Sequence, residues 1–240
     1  MGKQQLSIMA RVPKKRLKAL SKLEKGRLYP IDEALDLLKD KEFTYVGFDA
    51  SVDIDMHLGV DPRKPNQMVR GTVTLPHGTG RAVRVLALVG PEQAADAEAA
   101  GADYVGLDEY IDKIQQGWFD FDVIVTTPDV MPRIARLGRI LGPRGLMPNP
   151  KAGTVTTKVK DTINELKRGK IEFKVDRYGI IHNSVGRVSM PKAALKENIR
   201  DFVRTILRSK PSATKGTYVK SVTLSSTMSP GIDIDLKSVS

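Results

Sequence analysis

The chain has 240 residues, enough for one large domain or two of ordinary size; 40% are hydrophobic but only 5% aromatic, so any core is mostly aliphatic. Lys and Arg number 39 against 28 Asp and Glu, and the resulting net charge of +11 points to a nucleic acid or an acidic surface as partner. Cysteine is absent, which excludes a disulfide framework and thiolate metal sites, and no apolar run has the length of a membrane span or the place of a secretory signal, so a soluble cytoplasmic protein is expected.

Residues 3–27 hold nine Lys or Arg against one acid, Glu24, and read as a basic arm, helical around Pro13–Leu23; a solvated tail accounts for them equally well. Pro30 then opens an amphipathic helix over Ile31–Lys39, with Ile31, Ala34, Leu35 and Leu38 along one side. Phe48–Leu58 alternates cleanly, as a half-buried antiparallel strand does, with Phe48, Ala50, Val52, Ile54, Met56 and Leu58 on one face. On that pattern alone Phe48 is a core residue. Asp49, Asp53 and Asp55 line the other face; they have the chemistry for Mg²⁺, but a solvated face is the commoner arrangement. Met68–Leu75 is a second alternating strand, and Pro76–Gly80 breaks the pattern.

From there the grammar changes. Ala82–Val89 is nearly all apolar, the mark of a strand buried on both faces in a parallel sheet. An Ala-rich helix over Pro91–Ala100, a short strand over Ala102–Gly106, a helix over Asp108–Gln116 and a buried strand over Phe121–Thr127 follow. This βαβ rhythm predicts an open α/β unit. Pro128 and Asp129 start a helix that runs into Leu137–Val155, where four glycines alternate with three prolines and no long helix or strand can persist. Met131–Lys160 contains no acid, while Arg139, Arg144 and Lys151 are among its cations, so an ordered basic loop facing a polyanion is expected. A rigid connection with a solvated basic rim fits the same residues.

A helix over Lys160–Lys167 ends at Gly169, and alternation returns. Ile171–Val175 and Ile180–Val185 read as a hairpin around Asp176–Gly179. Pro191–Ser209 is a long amphipathic helix, Thr217–Thr227 a last strand, and the tail beyond Pro230 is expected to fray.

Charge divides the chain in the same places. Residues 1–78 hold 14 basic and 10 acidic residues, 79–169 hold 12 and 12, and 170–240 hold 13 and 6. All of the net charge therefore belongs to the two ends. Antiparallel patterns at both ends around a neutral α/β middle suggest one basic α+β domain, 1–78 with 170–240, interrupted by an insert over 79–169; two separate end domains fit the pattern too. Catalytic chemistry is hard to find. His57, His77 and His182 have no ligand-spaced partner, no G-x-S-x-G occurs, and Gly78-Thr79-Gly80 precedes a strand instead of following one. A binding protein without cofactor or metal is expected, not an enzyme.

The wording of GRILGPRGLMPNPKAGTV closely resembles the signature of the large-subunit ribosomal protein L-one family, bacterial type, the proteins of the mobile stalk beside the tRNA exit site. PIDEALDLLK, LGVDPRKPNQMVRGTVTLPHGTG, AGADYVG, GWFDFDVIVTTPDVM, GKIEFKVDRYGIIH and ENIRDFVRTI resemble family segments in family order. The resemblance selects the interrupted two-domain layout, a split α+β domain around a Rossmann-like α/β insert. It implies a single copy on the large ribosomal subunit, binding the rRNA stalk, facing exit-site tRNA with the neutral insert, and repressing translation by binding its own mRNA. It also implies rRNA contacts at Phe48, Ser51, Lys174, Asp176, Ser221, Thr227 and Met228, and Gly78, Gly80 and Gly169 lie at the two crossings as hinge candidates. Three positions depart from the usual family pattern: Gly47 stands where Lys is usual, Ser229 where Gly is usual, and Arg177-Tyr178 where a small hydroxyl residue is common. An α/β enzyme using the Arg139–Lys151 loop, and a nucleic-acid binder outside the ribosome, are the rival functions.

Overall fold

The structure is a computed structural model that describes residues 13–24 and 26–239; the arm before Pro13 lies outside the described residues. In chain order the elements are α1 (Lys14–Ser21), α2 (Ile31–Lys39), β1 (Ser51–Leu58), β2 (Arg70–Thr74), β3 (Val85–Leu88), α3 (Pro91–Ala99), β4 (Tyr104–Gly106), α4 (Asp108–Gln115), β5 (Val123–Thr126), α5 (Met131–Ile134) and α6 (Gly138–Leu141). They continue as α7 (Val159–Arg168), β6 (Lys170–Lys174), β7 (Ile180–Arg187), α8 (Lys192–Arg208), β8 (Val219–Ser226) and β9 (Ile232–Asp233).

The strands fall into three sheets: an antiparallel one in the order β7-β1-β8-β9, an antiparallel pair β2-β6, and a parallel one in the order β4-β3-β5. The first two share one aliphatic core, which takes its buried residues from Ala19 to Leu75 and from Phe173 to Val239 and none from between. Alternation along β1 drives Val52, Ile54, Met56 and Leu58 into it and leaves the intervening side chains on an open face. Beneath the sheet, α2 buries Ile31, Ala34, Leu35 and Leu38, with Asp32 and Glu33 in its first turn and Lys39 in its last, the signs that suit the helix dipole. Helix α8 adds Leu195, Ile199, Phe202, Val203 and Ile206. Where α8 meets β7 the sheet carries Gly186, because a Cβ there would sit 2.5 Å from a Leu195 methyl.

The parallel sheet is covered on both sides, which is why β3 reads as a continuous apolar run. Its alternate residues serve two cores: Leu86 and Leu88 pack with Ile111, Ile114 and Leu141, while Val85 and Ala87 pack with Ala97, Ile163 and Leu166. The chain enters and leaves this body at neighbouring points. A Cβ on Gly169 would lie 2.4 Å from the Cα of Gly78, and Leu75 N–H donates to the Gly169 carbonyl.

Three local expectations need correction. The proposed hairpin is a turn without a ladder: β6 pairs with β2 and β7 pairs with β1. Asp176 builds the turn by accepting from Tyr178 N–H and Ile180 N–H, and Gly179, at φ 85°, then passes its carbonyl to Leu58 N–H. That hydrogen bond commits the outgoing strand to β1. The tail does not fray, because β9 pairs with β8, Tyr29 bridges to Ile234, and Val239 is fully buried. The helical segments before the Gly/Pro-rich stretch run into it as short α and 3₁₀ turns that end at Leu141, and the loop proper starts at Gly142. Finally, β1 begins at Ser51 and Phe48 stands outside it, 61% exposed. Asp49 explains this: its carboxylate accepts from Ser189 N–H and Oγ–H and its carbonyl from Arg187, which holds residues before Ala50 off the ladder.

Candidate nucleic-acid interface

The open face of the β7-β1-β8 sheet is polar by register. Asp53 pairs with Ser184 on one side and Ser225 on the other, Asp55 with His182 and Thr223, and His57 with Ile180 and Ser221. At the end where β1 begins, Ser51 pairs with Arg187, and its Oγ lies 3.3 Å from the Thr227 Oγ1. Just past β8, Met228 is 60% exposed and takes a left-handed conformation with φ 69°. The structure thus brings Ser51 and Thr227 into contact and places two exposed apolar side chains, Phe48 and Met228, in the segments flanking that contact.

Of the other family-implied residues, Ser221 lies toward the opposite end of the same face and Asp176 in the turn that leads into β7. Ser221 is five residues before Ser226, about 17 Å along an extended strand. It pairs with His57, which pairs with Ile180, whose carbonyl accepts from Asp176 N–H. Asp176 Oδ2 lies 3.8 Å from His182 Nε2, and His182 Nδ1 is 2.5 Å from Asp55 Oδ1. Burial pushes the Asp176 carboxyl up, but the Ile180 and Tyr178 N–H donors and His182 outweigh it and hold the pKa below the ordinary aspartate value. Asp176 is therefore an anion at neutral pH, an acceptor for hydroxyl or amino groups. Lys174 is exposed at the end of β6, opposite Arg70 in the two-stranded sheet. The three carboxylates singled out in the sequence are each engaged by neighbours: Asp49, just before β1, by Ser189, and Asp53 and Asp55, within it, by Ser51 and His182.

Between this sheet end and the α/β body lies a cleft of about 550 Å³, with Ser51, Asn183 and Arg187 on one wall and Leu146, Met147 and Pro148 on the other. Lys170 and Glu165 join the two bodies by an ion pair at the crossing itself, 2.7 Å long. On the α/β body Arg139, Arg144 and Lys151 are exposed, and Arg144 stacks on Phe119 with 3.7 Å to the ring centroid. Arg139 sits on a helix, Arg144 in a turn and Lys151 on a 3₁₀ segment.

Sequence reasoning did not single out Tyr45, Thr223, Ser225 or Arg187. Period-two alternation in TYVKSVTLSST was the available signal for Thr223 and Ser225, since it puts them on the face of Thr227. Of the three unusual positions, Gly47 has no atom within 4 Å of an added Cβ, so the lysine usual there would fit. Tyr178 is 68% exposed under Arg177, and Ser229 closes the turn after β8 with hydrogen bonds to Ser226.

Comparison with known proteins places the chain. The large ribosomal subunit protein uL1 of Porphyromonas gingivalis is 59% identical over 231 residues, covering 96% of this chain and 99% of the relative. The uL1 of Bacteroides fragilis is 57% identical over 231 residues with the same coverage, and that of Amoebophilus asiaticus is 53% identical over 227 residues, 95% of this chain and 97% of the relative. Residues 38–230 match the ribosomal protein L1p/L10e family, and the chain belongs to that family.

Proposed function

We propose that this chain binds the rRNA of the large-subunit stalk through the open face of its antiparallel sheet. Its family makes it a structural constituent of the large subunit of the cytoplasmic ribosome and not an enzyme. The observation that supports the finer reading is the end of the sheet, where the hydroxyls of Ser51 and Thr227 touch and Phe48 and Met228 stand exposed beside them. Folded RNA is recognised through shape, 2′-OH groups and backbone, and a hydroxyl both donates and accepts toward a 2′-OH. An exposed aromatic ring and a thioether offer the flat apolar contact on which an unstacked base rests. Ser221, Asp176 and Lys174 extend the contact to the far end of the face.

The α/β body has a different part in this account. Its sequence nets zero charge, yet Arg139, Arg144 and Lys151 give it an exposed basic edge suited to the exit-site tRNA. Gly78, Gly80 and Gly169, all at positive φ, form the hinge that lets this body move relative to the bound stalk. Binding of the chain's own mRNA, with repression of its translation, would use the sheet face that holds the stalk. Hydroxyl-radical footprinting of the protein on large-subunit rRNA tests the reading. Protection concentrated in the stalk helices is expected. Protection spread evenly over the rRNA would leave only non-specific binding and would sink the proposal.

A further inference from the structure

Among the described residues Met228 is the one non-glycine with positive φ, and its bulky side chain is 60% exposed, so burial offsets little of the strain. Something else must hold it. The turn is closed from below by Ser229, whose N–H donates to the Ser226 carbonyl at 2.9 Å and whose Oγ accepts from Ser226 N–H at 2.9 Å. It is held from the side by Tyr45, whose hydroxyl donates to the Met228 carbonyl at 2.8 Å.

Tyr45 belongs to the loop that carries Phe48, and two further hydrogen bonds join that loop and the start of β1 to the end of β8. Thr44 Oγ1 donates to the Leu38 carbonyl at 2.7 Å and lies 3.0 Å from Ser226 Oγ, both hydroxyls being buried. Ser51 Oγ lies 3.3 Å from Thr227 Oγ1. Residues 176 to 183 positions apart in sequence are thus laced together at the place where the two exposed apolar side chains stand.

We propose that Tyr45 is a positioning residue for RNA recognition: its hydroxyl fixes the left-handed Met228 turn and locks the Phe48 loop against it, so that both apolar side chains are set before RNA arrives. The inference rests on the rRNA-binding reading above. A contact surface that is ordered in the free protein loses less freedom on binding, and a surface ordered only part of the time has its affinity reduced by that fraction. Tyr45 itself needs no contact with RNA.

The test is Tyr45→Phe in the full chain, measured against a stalk-rRNA fragment beside Thr227→Val. Losing the hydroxyl is expected to weaken binding about fivefold, the effect of one ordinary hydrogen bond, with an unchanged salt slope because no charge is removed. The thermal midpoint should stay within about 2 °C, while the Ser229 amide exchanges faster with solvent. If Tyr45→Phe weakens binding fivefold while the Ser229 amide exchanges at the wild-type rate, the turn is held without the hydroxyl, Tyr45 acts on the RNA directly, and the positioning role is overturned. Wild-type affinity for Tyr45→Phe beside a weakened Thr227→Val removes this inference and leaves the binding reading intact. Wild-type affinity for both removes the reading and the inference with it.

Discussion

Excising residues 79–168 and joining Gly78 to Gly169 through one or two glycines is expected to leave stalk-RNA affinity within about threefold of the full chain, since the phosphate and hydroxyl contacts all remain. Three features of the structure carry this expectation. The antiparallel core takes no buried residue from the excised segment. The two cut points touch, because a Cβ on Gly169 would fall 2.4 Å from Gly78 Cα. All of the net charge stays, as residues 79–169 hold 12 basic and 12 acidic side chains. The isolated α/β piece should bind at least about a hundredfold more weakly, having neither the sheet face nor excess charge. Filter binding or calorimetry on the three proteins decides it. A folded excised protein that binds no better than the α/β piece would move the RNA site out of the sheet.

Gly169→Ala is expected to destabilise the protein by about 2–4 kcal/mol, the largest effect of any single methyl at the crossings. At φ 108° an L side chain is strained whatever the space, and here the added carbon also meets Gly78 backbone. Backbone cannot step aside as a flexible side chain does. Chemical denaturation gives the loss directly, and in a chain of this length the thermal midpoint should fall by about 4–15 °C. A change below about 0.5 kcal/mol would show that the crossing is slack. Small-angle scattering of the wild-type protein with and without RNA bears on the hinge from the other side, with a change in the separation of the two bodies expected.

Much of this architecture was legible in residue order because each signal is local. Alternation in VDIDMHL places Val52, Ile54 and Met56 inward, the run VLAL requires cover on both faces, and Pro30 with Asp32 and Glu33 marks the start of α2. The errors came where a distant partner decided the outcome. Asp176 to Gly179 has every feature of a hairpin turn, yet the outgoing strand is captured by Leu58 and the incoming one by β2. Ile232 and Val239 are ordered only because β8, Tyr29 and the antiparallel core are waiting for them.

The site was legible in a narrower sense. Family-like motifs supplied Ser51, Thr227 and Met228, while no periodicity joins residue 51 to residue 227. Phe48 shows the limit most clearly, since alternation assigns it to the core. Asp49, held by Ser189 and Arg187, stops the strand short of it and turns it to solvent. Tyr45 lay in no motif, and only its hydrogen bond to the Met228 carbonyl distinguishes it.

The central claim is that a hydroxyl-bearing end of the sheet reads rRNA, and Thr227→Val tests it most directly. Valine keeps the shape of threonine and removes its donor and acceptor, at a position 3.3 Å from Ser51 Oγ and one residue beyond β8. Affinity for the stalk RNA at physiological salt is expected to fall by about 1–3 kcal/mol, because the RNA group facing Thr227 is left desolvated and unpaired. The salt slope should not change, whereas removal of a cation that meets phosphate would lower it by about one unit and weaken all RNAs alike. A folded Thr227→Val protein that binds stalk RNA as tightly as wild type would contradict the account, and the site would have to be sought elsewhere on the molecule.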